Sequence, residues 1–173
     1  MPELNRRALS VRAAVVGTLS ALFASAAVQA ADSPAKRGEY LVHIGGCGDC
    51  HTPGYFLGKP DLARYLGGSD VGFELPGLGT FVGPNLTPDG KTGLGAWSEE
   101  QIVTAIQTGQ TPEGRILAPV MPWRDFAHLT KSDAFAIAAY LKSLKPVEHK
   151  VAGPFGPDEK ATVFVMKVVP PAK

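Results

Sequence analysis

The stretch that decides the fold is Cys47-Gly48-Asp49-Cys50-His51, a C-x-x-C-H pentapeptide. Its two thiols, three positions apart, are spaced to add to the two vinyl groups of one haem, and the imidazole that follows is placed to bind the iron. This pattern is typical of a c-type haem attachment site. The chain has only two cysteines, and both lie in this motif. The sequence therefore predicts one covalently bound haem c, held by Cys47 and Cys50.

A C-x-x-C pair has three other interpretations besides haem attachment. One is a disulfide. A zinc half-site would need two further Cys or His ligands at finger spacing, and the sequence has none at that spacing. A thioredoxin-like redox motif would be expected near a βαβ pattern, which is also missing. Covalent haem remains the favoured interpretation.

The N-terminus resembles a secretory signal peptide. A basic segment precedes an apolar stretch over residues 13–28, and Val28-Gln29-Ala30 supplies small residues at a cleavage position. The apolar run is shorter than the roughly 20 residues that span a bilayer, so an uncleaved anchor is the less favoured alternative. We expect residues 1–30 to be the signal peptide, a mature chain without a transmembrane segment, and a periplasmic location.

Charge and length limit the function classes further. Removing residues 1–30, which hold three arginines and one glutamate, changes the formal net charge from +1 to −1. A nearly neutral chain does not suggest nucleic acid or an anionic membrane surface as a partner. Docking to another protein fits better. The remaining length suits one domain with a single core.

The rest of the chain predicts three helices separated by long Gly/Pro-rich connections. Each helix has a local start signal, either a Ser or Thr N-cap or a capping box, and a Gly or Pro near its end. The helices are expected at residues 34–44, 99–108 and 131–144, with caps at Ser33, Ser98 with Gln101, and Thr130. The connection over residues 52–97 is longer than loops without regular structure usually are in a compact domain. A bound haem would supply an apolar centre on which this connection packs. A hairpin is possible near residues 72–82.

In the order of these pieces the chain resembles the class I cytochromes c, specifically bacterial single-haem forms that serve dehydrogenases. The resemblance covers about residues 36–146. It rests on a helix leading into C-x-x-C-H, then Gly83-Pro84-Asn85-Leu86, Trp97 ahead of a helix, Met121 in a Pro-rich loop, and a terminal helix. It implies an all-α cytochrome c fold of three main helices packed on the haem. It also implies that the Pro84 carbonyl accepts a hydrogen bond from the proximal histidine, and that the Trp97 indole donates to a haem propionate.

The iron ligands follow from chemistry and from the resemblance together. His51 is expected to bind through Nε2, with Nδ1–H held by an acceptor that fixes the ring. For the second axial position we favour Met121, whose flanking prolines hold a non-helical loop and whose thioether is apolar. His128 is the serious alternative, and it would give a lower potential. The less favoured candidates are His43, His149 and Met166.

Two protein ligands would leave the iron no open site, which suits electron transfer. We expect a one-electron carrier or the cytochrome subunit of a dehydrogenase, not an enzyme itself, with a dehydrogenase as donor and a respiratory-chain protein as acceptor. The alternative is a haem enzyme, peroxidase-like or oxidising sulfur compounds, with an open or labile sixth position. The expected domain lies at residues 31–149. Residues 150–173 form an extension that either straps over the domain or docks a partner.

Overall fold

The computed structural model describes residues 33–167, 169 and 171. The expected signal peptide over residues 1–30 lies outside the described residues. No helix in the described part of the chain has the length and apolar character needed to cross a bilayer. In chain order the helices are α1 (Pro34–Ile44), α2 (Cys47–His51), α3 (Glu99–Thr108), α4 (Trp123–Phe126) and α5 (Lys131–Ser143), and the strands are β1 (Val71–Leu75), β2 (Gly79–Val82) and β3 (Phe164–Lys167).

Helices α1 and α5 pack closely and form the frame of the molecule. The Ser33 side chain caps α1 by accepting from the Lys36 N–H, and Pro34 begins the helix. Gly38 allows the close approach, because a Cβ at that position would overlap the Ala136 carbonyl oxygen in α5. The Arg37 side chain adds a hydrogen-bonded ion pair with Asp133 at 2.8 Å.

Helix α3 completes the core against α5. Its capping box is present, with Ser98 and Gln101 satisfying each other's backbone N–H groups, and Gly109 ends it in a left-handed conformation at φ 76°. Thr130 caps α5 by accepting from Asp133 N–H. The buried side chains that join α1, α3 and α5 are Leu41, Val42, Leu66, Leu94, Ile102, Ala136, Ile137, Ala138 and Leu141.

A three-stranded sheet departs from the expected all-α fold. Strands β1 and β2 form the suggested hairpin, with Phe73 opposite Phe81. Strand β3 then pairs in parallel with the other edge of β1, with Val71 opposite Phe164. The molecule is therefore mostly helical but not purely so. Two short helices, α2 and α4, also add to the three that the sequence predicts.

The C-terminal extension reaches back over the hairpin. Phe155 is 7% exposed and pairs with Thr80 through two backbone hydrogen bonds, at 2.9 Å each. Further along, all four residues of β3 are exposed although the strand is paired to β1. The extension thus packs against both edges of the hairpin.

Candidate haem-binding site

Helix α2 places the two cysteines one turn apart on a five-residue helix. Gly46 precedes it at φ 64°, a left-handed conformation that favours glycine and lets α2 begin directly after α1. The two cysteines form no disulfide with each other. Burial raises the pKa of Cys47 to about 11. Within the described residues there is no group of three or more Cys, His, Asp or Glu side chains that could hold a metal.

His51 ends α2 and has one free ring nitrogen. The residue is 4% exposed, and its Nδ1–H donates to the Pro84 carbonyl oxygen at 2.7 Å. Burial holds the pKa of His51 below its ordinary value of 6.5, against the smaller opposing effect of that hydrogen bond. The imidazole is therefore neutral at neutral pH, with its lone pair on Nε2.

The Nε2 atom of His51 is buried and has no hydrogen-bond partner. A buried polar atom without a partner is costly, and such an atom in a native site points to a missing ligand or ion. A neutral imidazole with Nδ1–H fixed by a carbonyl is the usual state of a metal-bound histidine. The residues at this site therefore fit a haem whose iron would bind Nε2 and whose vinyl groups would bind Cys47 and Cys50.

Two loops press against the backbone of α2. Gly83 permits the first contact, since a Cβ there would overlap the Cys50 carbonyl oxygen. The next residue, Pro84, is then in place to accept from His51. On the other side, Gly68 N–H donates to the His51 carbonyl oxygen at 2.8 Å. The imidazole and the main chain of His51 are each held by one loop.

Met121 lies in a turn between α3 and α4. Its N–H donates to the Ala118 carbonyl at 2.9 Å, and its own carbonyl accepts from Trp123 N–H at 2.8 Å. Pro122 follows as the N-cap of α4. The Met121 side chain is half-buried. No hydrogen bond joins Met121 or Trp97 to His51, and of the expected site residues only Pro84 makes one.

The other candidate ligands of the iron are placed differently. His128 is exposed. His43 is exposed on α1, and its Nδ1 lies 3.1 Å from the Tyr65 hydroxyl. His149 donates from Nδ1 to the Gly67 carbonyl at 2.6 Å. Met166 is 46% exposed on β3. Each is more exposed than His51, or has a partner elsewhere.

Trp97 packs at the edge of the buried core, directly before the capping box of α3. Its carbonyl accepts from the Lys142 ammonium group at 2.9 Å, which ties it to α5. A different tryptophan has the unpartnered indole: Trp123 Nε1 is buried without a hydrogen bond, as is the Thr111 hydroxyl. Neither Trp123 nor Thr111 has a role predicted from the sequence, although Trp123 directly follows the Met121-Pro122 pair.

The buried polar residues that follow Pro84 in the chain were also not predicted as part of the site. Asn85 and Thr87 are 2% and 1% exposed, and their side chains are hydrogen-bonded to each other and to the chain after α5. The Gly83-Pro84-Asn85-Leu86 motif was the available signal. It pointed to the proline and not to the asparagine beside it.

Most of this chain is similar to known proteins. The cytochrome c family model matches residues 35–145. The fructose dehydrogenase cytochrome subunit of Gluconobacter japonicus is 34% identical over 112 residues, covering 63% of this chain and 22% of that protein. The alcohol dehydrogenase (quinone) cytochrome c subunit of Gluconobacter oxydans is 34% identical over 137 residues, covering 78% and 27%. The gluconate 2-dehydrogenase cytochrome c subunit of Pantoea cypripedii is 37% identical over 131 residues, covering 76% and 27%. The chain spans about a quarter of the length of these relatives.

Proposed function

The chain belongs to the cytochrome c family, and from that premise we propose that it carries single electrons with His51 and Met121 as the two axial ligands of one haem iron. Membership itself implies covalently bound haem c and an electron-transfer role. The haem, when bound, supplies the Fe(III)/Fe(II) couple. The relatives are named as cytochrome subunits of dehydrogenases, so the chain is an electron-transfer component and not a catalytic enzyme.

The observation that carries the proposal is the state of His51. Its ring is buried, neutral and fixed at Nδ1 by the Pro84 carbonyl, while Nε2 has no partner. An imidazole held in this way needs no rearrangement when the iron changes oxidation state. A small structural change between the two states is what outer-sphere electron transfer requires.

Met121 is the side chain that best suits the second axial position. Its turn is fixed by backbone hydrogen bonds on both sides of the residue, and the side chain is half-buried. Met166 is on an exposed strand, and His128 is exposed. A thioether opposite an imidazole also raises the potential relative to two imidazoles. We assign Trp97 as a donor to a haem propionate, by resemblance to the family.

The setting of the protein is part of the same proposal. We place it in the periplasm, with residues 1–30 as a signal peptide, residues 31–149 as the cytochrome domain and residues 150–173 as an extension. Its electron donor would be a dehydrogenase and its acceptor a respiratory-chain protein. The names of the relatives support a dehydrogenase as the electron donor. The apolar N-terminal sequence supports the signal peptide and the periplasmic location.

Replacing Met121 tests the axial assignment. The parent protein, produced in the periplasm with c-type haem maturation, should show a low-spin ferric spectrum with a thioether-to-iron charge-transfer band. Met121→Ala should lose that band, lower the reduction potential and bind added cyanide. Met166→Ala is the matched control and should keep the parent spectrum.

Two results would contradict the proposal. If Met121→Ala kept the parent spectrum and potential, Met121 would not be a ligand. If the parent protein itself were high-spin and changed on adding cyanide or peroxide, the haem enzyme would replace the electron carrier as the better interpretation.

A further inference from the structure

The chain that follows α5 lies against both loops that hold His51. We call residues 147–151 the clamp segment, residues 83–92 the Pro84 loop and residues 64–69 the Gly67 loop. The two loops also contact each other, because Ser69 N–H donates to the Gly83 carbonyl at 2.9 Å. Most residues of both loops lie outside the helices and strands. Their positions therefore depend on these side-chain and backbone contacts.

Asn85 joins the Pro84 loop to the clamp segment. Its Nδ2 donates to the Val147 carbonyl at 2.7 Å and to the Thr92 hydroxyl at 3.1 Å. Its Oδ1 accepts from the N–H and the hydroxyl of Thr87, at 2.9 and 2.7 Å. Both donors and both acceptor sites of this buried amide are thus used. Because Asn85 directly follows Pro84, fixing its side chain limits where the Pro84 carbonyl lies.

Two threonines complete the attachment. Val147 N–H donates to the Thr87 hydroxyl at 3.1 Å, and His149 N–H donates to the Thr92 hydroxyl at 3.0 Å. Thr87 is 1% exposed, so its hydrogen bonds are shielded from water. A buried polar network of this kind is stable only when all its members are satisfied. Losing one hydroxyl would leave the Val147 N–H without its acceptor.

The clamp segment holds the Gly67 loop at the same time. The His149 Nδ1–H donates to the Gly67 carbonyl at 2.6 Å, and Arg64 donates to Nε2 at 3.4 Å. Val151 covers Gly68 so closely that a Cβ on that glycine would overlap it. Gly68 is the residue whose N–H donates to the His51 carbonyl.

We propose that the clamp segment, through Asn85, Thr87 and Thr92, sets the position of the Pro84 carbonyl against His51 and thereby tunes the iron ligand. These are positioning residues, since none of the three is a candidate ligand of the iron. The proposal rests on the proposed function, in which His51 binds iron. An acceptor on Nδ1 makes the ligand nitrogen more basic and favours the ferric state. Loosening the clamp segment therefore raises the reduction potential.

Isosteric substitutions test this role in the holoprotein. Thr87→Val and Thr92→Val remove one hydroxyl each and keep the volume. Thr80→Val is the matched control, since Thr80 is 4% exposed and its hydroxyl makes none of these bonds. The measurements are the reduction potential and the exchange rate of the His51 Nδ1 proton, followed by NMR in the reduced protein. Thr87→Val and Thr92→Val, the two network variants, should both raise the reduction potential. In both, the His51 Nδ1 proton should exchange faster, on the order of tenfold. The control should change neither.

The role is overturned if both network variants match Thr80→Val in potential and in Nδ1 proton exchange. If Thr87→Val yields no holoprotein, Thr92→Val alone decides, because Thr92 is only partly buried. If the proposed function itself were wrong and His51 did not bind iron, the unsubstituted protein would already lack a low-spin spectrum or a slowly exchanging Nδ1 proton. A fall in potential in both network variants would also contradict the proposal.

Discussion

Replacing Gly83 with alanine should disturb the haem site although no haem-binding side chain is substituted. The new Cβ would overlap the Cys50 carbonyl oxygen, and it would lie 3.3 Å from His51 Nδ1. The overlap is too deep for a shift of a few tenths of an ångström to relieve. The loop must therefore move away from α2, and the Pro84 carbonyl moves with it.

The size of the effect follows from the hydrogen bond that this movement breaks. The His51–Pro84 bond is 2.7 Å long and has about 0.5 Å of slack before it exceeds the ordinary limit. Overpacking of this kind costs about 1–3 kcal/mol, and a buried donor left unpaired costs about 1–3 kcal/mol more. We expect Gly83→Ala to lower the free energy of unfolding of the holoprotein by about 2–6 kcal/mol.

Urea unfolding with a glycine control measures this loss. With a slope of about 2 kcal/mol per molar urea, the midpoint should fall by about 1–3 M. Gly90→Ala is the control, because a Cβ at Gly90 has nothing within 4 Å. The reduction potential of Gly83→Ala should also rise, since the proximal ligand loses its acceptor. If Gly83→Ala matched Gly90→Ala in both midpoint and potential, the contact between this loop and His51 would not exist in solution.

Three further predictions concern the frame of the fold. Gly38→Ala should destabilise the protein by about 1–3 kcal/mol in urea unfolding, because its Cβ overlaps the Ala136 carbonyl; an unchanged midpoint would refute the close packing of α1 and α5. Ser98→Ala should cost about 1 kcal/mol by removing the cap of α3, and a loss below measurement error would mean that water replaces the cap. The hydrogen bond from Arg37 lowers the pKa of Asp133 below 3.8, so Asp133 stabilises the fold at neutral pH and this contribution is lost as the pH falls through the lowered pKa. Asp133→Asn should therefore be less stable than the parent at pH 7 and match it in strong acid, and a difference that grew on acidification would have the wrong sign.

The helices were predictable because their end signals are local. Ser33 and the Ser98–Gln101 box begin α1 and α3 at the expected residues, and both helices end where expected. Helix α5 ends one residue early, at Ser143, with Leu144 already extended. Pro146 restricts the residue directly before it, Lys145, toward extended conformations, so the helix cannot continue beyond Leu144.

The sheet and the clamp segment were not predictable in the same way. Strand β3 pairs with β1 across more than eighty residues of sequence, and nothing in either segment specifies the partner. Likewise, the Gly83-Pro84-Asn85-Leu86 motif indicated an acceptor for His51. The partner of Asn85 is the Val147 carbonyl, a backbone atom with no sequence signature.

The intact mass of the protein, produced with c-type haem maturation and measured under denaturing conditions, tests the central claim most directly. Cys47 and Cys50 are the only cysteines, so thioether attachment at both predicts the polypeptide mass plus one haem and no thiol that reacts with an alkylating reagent. A polypeptide without haem that carries two reactive thiols, or a disulfide between them, would contradict the account.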